Sequence, residues 1–141
     1  MIDKNLVKEK IKNIQIYLSE IENIIVLGFG EIVSNIEKLR TLERNFQLIV
    51  DEMLDINIHF IRELNLKSPD DFQSTFVILA ENKIIPLDFA QKIAPAVGLR
   101  NLIVHRYETL DKELFIKTFR KNYPDFERYV KLINQRLKSQ I

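Results

Sequence analysis

Residues Glu31–Leu64, reading EIVSNIEKLRTLERNFQLIVDEMLDINIHFIREL, decide the fold. Ile32, Ile36, Leu39, Leu42, Phe46, Ile49, Met53, Ile56, Phe60 and Leu64 follow one another at steps of three or four. That is the period of an α-helix with one apolar face. A helix of this length spans roughly 50 Å at 1.5 Å per residue. It is longer than a small bundle needs, so part of the stripe is expected to pack against a second copy of the chain.

Upstream, residues 3–27 carry Leu6, Ile14, Leu18, Ile21 and Ile25 mostly three, four or seven apart, a first amphipathic helix ended by Gly28 and Gly30. Downstream, Ser68-Pro69-Asp70-Asp71 reads as a helix start, with Ser68 as the cap, Pro69 in the first position and acids facing the positive end of the dipole. That helix carries Phe72, Phe76 and Leu79 and stops near Asn82-Lys83. Pro86-Leu87-Asp88 opens the next one, which Pro95 should kink, and Gly98 lets another backbone or a ligand come close. Glu108-Thr109-Leu110-Asp111 breaks the pattern, and Thr109 or Asp111 caps a helix through about Lys121. Pro124 starts a last helix with Phe126, Tyr129, Val130, Ile133 and Leu137 as its buried stripe. No strand pattern or internal repeat competes. The expected architecture is all-α: an up-and-down bundle of about five helices, one domain over residues 1–141, with one very long second helix.

Composition narrows the function. A chain of 141 residues can bury a sizeable core, and 46% apolar with 29% charged residues is ordinary for a soluble globular protein. The absence of cysteine excludes a disulfide scaffold, a thiolate metal site and a cysteine nucleophile. Met1-Ile2-Asp3-Lys4-Asn5 is charged and does not read as a signal peptide, and no apolar run is long enough to span a bilayer. A cytoplasmic protein without a membrane partner is expected. The net charge of +1 makes the whole molecule no magnet for nucleic acid. A local candidate is the set Lys117, Arg120, Lys121, Arg128, Lys131, Arg136 and Lys138, a pattern that a solvated helix face also produces.

The chemistry concentrates in Gly98–Tyr107, GLRNLIVHRY. At about 100° per residue, Asn101 and His105 share one helix edge and Arg100 and Tyr107 a second. Val104 lies between the edges, while Leu102 and Ile103 point largely the other way. A cation, an amide, an imidazole and a phenol together suit a site that handles phosphate. A lone histidine near a helix end often only bonds a carbonyl, so spacing by itself is a weak signal. RNA cleavage needs the ribose 2′-OH deprotonated, the phosphate charge stabilised and the leaving oxygen protonated. Histidine can serve as base or acid near neutral pH, and arginine offers a planar fork that matches phosphate oxygens. One histidine cannot readily do both proton transfers, whereas two copies across a dimer axis can. The competing chemistry is metal-dependent hydrolysis through Asp51, Glu52 and Asp55, but His59 has no second histidine at ligand spacing and the ligand set is incomplete. No metal or other cofactor is expected. Phosphate-binding glycine loops are absent, so no ATP site of the chain's own is expected.

Arg100-Asn101-x-x-x-His105-x-Tyr107 resembles the signature of the HepT-like toxins, within the HEPN superfamily of helical ribonuclease domains. Leu39-Arg40-x-Leu42-Glu43-Arg44-x-x-Gln47 followed by Asp51-Glu52 looks like the family's long-helix motif. Ser68-Pro69-Asp70-Asp71-Phe72, Leu79 and Gly98 fall where the family has its third helix and the approach to its catalytic helix. The likeness covers about residues 3–137. It implies a metal-independent endoribonuclease that acts on RNA as a homodimer, the toxin of a toxin–antitoxin pair. Arg100 and His105 would be catalytic, Asn101 would support them, and Arg44, Glu52 and Asp55 are candidate outer supports. The implied partner is a minimal nucleotidyltransferase of the MntA type that transfers AMP from ATP onto Tyr107. The added charge and bulk beside Arg100 would block the cleft. The alternative is a helical interaction protein that holds the nucleotidyltransferase, or positions its substrate, without cutting RNA.

Overall fold

The computed structural model describes residues 1–139, which form helices and turns with no strand among them. The elements are α1 (Lys4–Ile25), α2 (Phe29–Val33), α3 (Ile36–Glu63), α4 (Phe72–Glu81), α5 (Leu87–His105), a 3-10 turn at Tyr107–Thr109, and α6 (Lys112–Ser139). Five helices of ten residues or more therefore make the bundle, and α2 is a single extra turn. No helix among the described residues is long and apolar enough to cross a membrane.

The expected stripe on α3 is buried at Leu39, Leu42, Phe46, Ile49, Met53, Ile56 and Phe60, and only Ile36 at its start faces out. α3 is the centre of the fold, packed against α1, α2, α4 and α5. Phe46 meets α6 edge-on, with ring centroids 5.3 Å from Phe115, 5.0 Å from Phe119 and 6.0 Å from Phe126. Edge-to-face pairs at this spacing stabilise beyond the area they bury. All six helices contribute buried side chains to one contiguous core.

Four boundaries differ from the sequence reading, each for a local reason. α3 begins at Ile36, not near Glu31, because the Asn35 side chain accepts the Lys38 N–H at 3.1 Å and its own backbone is extended. The chain before it forms α2, so the long helix is third in order rather than second. α4 begins at Phe72, not at Pro69. Asp71 accepts the Ser74 N–H at 2.7 Å while the Ser74 hydroxyl accepts the Asp71 N–H at 3.2 Å, a reciprocal cap that Ser68 lacks. α5 ends at His105, which moves Tyr107 off the helix and onto the 3-10 turn. Asp111 does cap the last helix, accepting from Leu114 N–H at 3.0 Å.

The fourth difference is the largest. α6 runs unbroken from Lys112 to Ser139 with Pro124 inside it, so the expected break near Lys121 is absent. Proline removes one backbone bond and crowds the preceding turn, but Pro124 faces solvent. Phe119, Asn122, Phe126 and Tyr129 are buried on either side of it, so tertiary packing holds both halves on one axis. Arg120, whose own carbonyl loses the bond, reaches across with Nε to the Ile25 carbonyl at 2.9 Å and with Nη2 to the Leu27 carbonyl. That satisfies the end of α1.

Deep in the bundle a hydrogen-bonded line ties three helices together. The Tyr129 hydroxyl donates to Asn57 Oδ1 at 2.7 Å, Asn57 Nδ2 donates to Thr75 Oγ1 at 3.1 Å, and Thr75 Oγ1 donates to the Phe72 carbonyl at 2.7 Å. Burial raises the Tyr129 phenol well above its ordinary pKa, so it stays a donor.

Replacing Pro124 with alanine restores the missing backbone bond at an exposed position. The variant is expected to be about 1–3 kcal/mol more stable, read as a higher urea midpoint at unchanged slope.

Candidate active site

α5 lies against α3 in the opposite direction, and the polar edge of α3 fixes the residues singled out in the sequence. Arg100 Nε donates to Asp51 Oδ1 at 2.6 Å, and Arg100 Nη1 donates to Asn101 Oδ1 at 3.1 Å. The guanidinium carbon sits 5.5 Å from the centroid of the Phe72 ring, a cation–π distance. Arg100 is thus held on three sides, at 14% side-chain exposure, by a charge, an amide and a ring. Its other N–H donors have no protein partner among the described residues. The Asn101 amide is spent on the guanidinium, which makes it an orienting group for Arg100.

His105 closes α5, is exposed, and makes no hydrogen bond to the described residues. Five helical steps separate it from Arg100, about 140° around the axis and about 7.5 Å along it. Between them the helix presents Asn101 and Val104, the latter 39% exposed. Within one chain the guanidinium and the imidazole bracket this edge rather than meet.

Tyr107 is seated elsewhere. Its hydroxyl lies 2.8 and 2.9 Å from the two oxygens of Glu43 and donates its proton into that carboxylate. Arg40 Nη1 donates both to the same hydroxyl and to Glu43 Oε1, the latter at 2.9 Å. The Arg40 guanidinium carbon is 5.1 Å from the Tyr107 ring centroid and Lys112 Nζ is 5.7 Å from it. Glu43 is only 3% exposed. Burial, and then the Glu43 bond and charge, raise the Tyr107 pKa above the ordinary tyrosine value, with Arg40 pulling the other way. Glu43 and Asp51 are eight residues apart on α3, so the Tyr107 hydroxyl and the Arg100 guanidinium are anchored about 12 Å apart along that helix.

The remaining candidates are distributed differently. Glu52 and Asp55 face α1. Lys10 Nζ is 2.9 Å from Asp55 Oδ2 and 3.6 Å from Glu52 Oε1, and Asn13 Nδ2 donates to Glu52 at 3.0 Å. The Asp55 bond leads in raising the Lys10 pKa above the ordinary lysine value, with burial opposing. Asp51 turns to α5 instead, so the three carboxylates split between two neighbours. Among the described residues no group of three or more His, Asp or Glu is placed to hold a metal ion. Arg44 is exposed and donates to Gln47 at 3.4 Å, and His59 is buried, accepting the Asp3 N–H at 2.9 Å. Gly98 is not needed for a close approach: a Cβ there would lie 3.8 Å from Gln73 Nε2, an ordinary contact. Of the basic residues on α6, Arg128 pairs with Asp88 at 3.3 Å and Arg120 is taken up by α1.

Sequence reasoning missed Arg40 and Glu43 as partners of Tyr107, and Phe72 as the ring beside Arg100. Glu43 carried a readable signal. It lies four residues after Leu39 and three before Phe46, which puts a charge inside the apolar stripe.

A family description, ribonuclease HepT-like, matches residues 14–133. The tRNA nuclease HepT of Aphanizomenon flos-aquae is 28% identical over 137 residues, covering 96% of this chain and 92% of that protein. The mRNA nuclease HepT of Shewanella oneidensis is 29% identical over 89 residues, 63% of this chain and 67% of that one. In fold the chain resembles the tri-AMPylated Shewanella oneidensis HEPN toxin solved in complex with its MNT antitoxin, with a TM-score of 0.84, 24% identity, and coverage of 96% of this chain and 99% of that one.

Tyr107→Phe removes the proton donated to a buried carboxylate. It is expected to cost about 1–3 kcal/mol in stability, measured by urea denaturation against Tyr17→Phe as a reference.

Proposed function

The chain belongs to the ribonuclease HepT-like family, and on that premise we propose that it is a metal-independent endoribonuclease toxin acting in the cytoplasm. In this reading it works as a homodimer and is neutralised by an MntA-type nucleotidyltransferase that AMPylates Tyr107. One observation carries it. Arg100 is oriented by Asp51, Asn101 and Phe72 with donors that no other described residue takes up, while His105 stands exposed at the end of the same helix, without a bond to the described residues.

Arg100 would grip the non-bridging phosphate oxygens, where a planar fork gives two parallel charge-assisted bonds. His105 would take the proton from the ribose 2′-OH. The His105 of a second protomer would return one to the leaving oxygen, the two steps that a single imidazole cannot serve from one side. The divergence of Arg100 and His105 within a chain favours this shared arrangement, since a symmetric interface brings each edge opposite its copy. The exposed Val104 between them suits such a contact. The relatives named tRNA nuclease and mRNA nuclease support RNA as the substrate class.

Neutralisation needs a change of detail from the sequence reading. AMP on Tyr107 would place its phosphate beside Arg40 rather than Arg100, some 12 Å away along α3. The nucleoside, reaching along α5 over His105, would be what closes the cleft.

Expression of the wild-type chain alone should arrest growth, and His105→Ala should abolish both the arrest and RNA cleavage by the purified, unmodified protein. Harmless wild type that leaves RNA intact would instead make this a binding protein. Mixing Arg100→Ala with His105→Ala subunits should give heterodimers whose cleavage differs from either parent if the site is shared. Incubation with the nucleotidyltransferase and ATP should add AMP by intact mass, and Tyr107→Phe should abolish the addition.

A further inference from the structure

We propose that Glu43 is the proton acceptor that activates Tyr107 as a nucleophile, with Arg40 as the cation that receives the charge arriving at the same oxygen. This assignment rests on the reading of Tyr107 as the modified residue. A phenol at neutral pH is a weak nucleophile and needs a base within hydrogen-bond reach. Glu43 meets that geometry with both oxygens, at 2.8 and 2.9 Å, and among the described residues it is the carboxylate bonded to this hydroxyl. The raised Tyr107 pKa means the proton does not leave ahead of the reaction. It has to move as the new bond forms.

The positions of the groups fit a transfer from a nucleoside triphosphate. The Tyr107 oxygen attacks the α-phosphorus, the new oxygen–phosphorus bond forms, and the bond to pyrophosphate breaks. The phenolic proton passes to Glu43 and then to solvent, and pyrophosphate leaves. Arg40, half-exposed and already bonded to both Tyr107 and Glu43, can swing its fork to the phosphodiester without leaving Glu43 charged and alone, because Glu43 is protonated at that moment. A buried carboxylate stripped of its partners would be costly; the proton it accepts removes that cost. The acceptor chain would therefore bring its own base to the reaction.

The test compares wild type with Glu43→Gln, which keeps size and a hydrogen-bond acceptor, and with Glu43→Asp. Tyrosine acylation by N-acetylimidazole, mapped by peptide mass, needs no partner protein and carries internal references in Tyr17 and Tyr123, while buried Tyr129 reports that the fold is intact. At neutral pH the Tyr107 rate, relative to Tyr17, should fall at least about tenfold in Glu43→Gln, recover toward pH 10 and be partly restored in Glu43→Asp. AMP incorporation with an MntA-type nucleotidyltransferase and ATP should fall by about 10²-fold or more, again with recovery as pH rises. A role limited to Glu43's bond and charge would instead leave Tyr107 equally or more reactive at neutral pH in Glu43→Gln, because that bond and charge hold its pKa up. Equal rates, or an unchanged profile, in folded Glu43→Gln would overturn the assignment. Wild type that takes up no AMP, while Tyr107 acylation still depends on Glu43, would instead sink the reading of Tyr107 as the modified residue and leave Glu43 as its activator.

Discussion

Two carboxylates on one helix set the geometry of the whole candidate site. Glu43 and Asp51 project from α3 eight residues apart, and α5 runs past them in reverse so that Arg100 meets Asp51 and Tyr107 meets Glu43. The spacing cannot drift, because the apolar stripe of α3 that Glu43 interrupts is locked by Phe46 against three rings of α6 and by the apolar residues above and below it. Glu43 adds an energetic constraint. A carboxylate so thoroughly removed from water has to be paired and hydrogen-bonded, so Arg40 and Tyr107 are held to it whenever the bundle is folded. The 3-10 turn after α5, which has few contacts of its own, is positioned by that requirement.

Much of the fold was legible because it follows from periodicity. The buried stripe of α3 and the stripe Phe126–Leu137 on α6 could be read from spacing alone, and residue type narrowed the last cap to Thr109 or Asp111, of which Asp111 takes it. The boundaries that shifted were settled by forces that spacing does not carry. Asn35 and Asp71 win their helix starts through specific side-chain bonds to N–H groups, and Ser68-Pro69, an equally good cap on paper, has no such partner. Pro124 was read as a start because local preference disfavours it inside a helix. Four buried residues flanking it outweigh that preference, a tertiary override of a local rule.

The site was legible in part. The arginine, asparagine and histidine were placed on α5 as their spacing suggests, and Asp51 accepts the arginine's Nε–H. Tyr107 was misplaced because the two-turn relation to Arg100 assumes a helix that continues, and α5 stops at His105. Its true neighbours come from α3, 64 and 67 positions earlier in the chain, a separation over which periodicity is silent. Phe72 looked like core at its place in the α4 pattern. It stands 44% exposed at the first turn of α4, where Arg100 stacks on it.

The line of hydrogen bonds from Tyr129 through Asn57 and Thr75 to the Phe72 carbonyl links the deepest phenol of the bundle to the ring beneath Arg100. For the proposed ribonuclease, this enlarges the target for silencing by chance mutation. Inactive descendants need not bear a lesion anywhere on the surface of the candidate site. An altered interior amide or hydroxyl can displace the guanidinium's footing while every side chain around Arg100 and His105 is still intact.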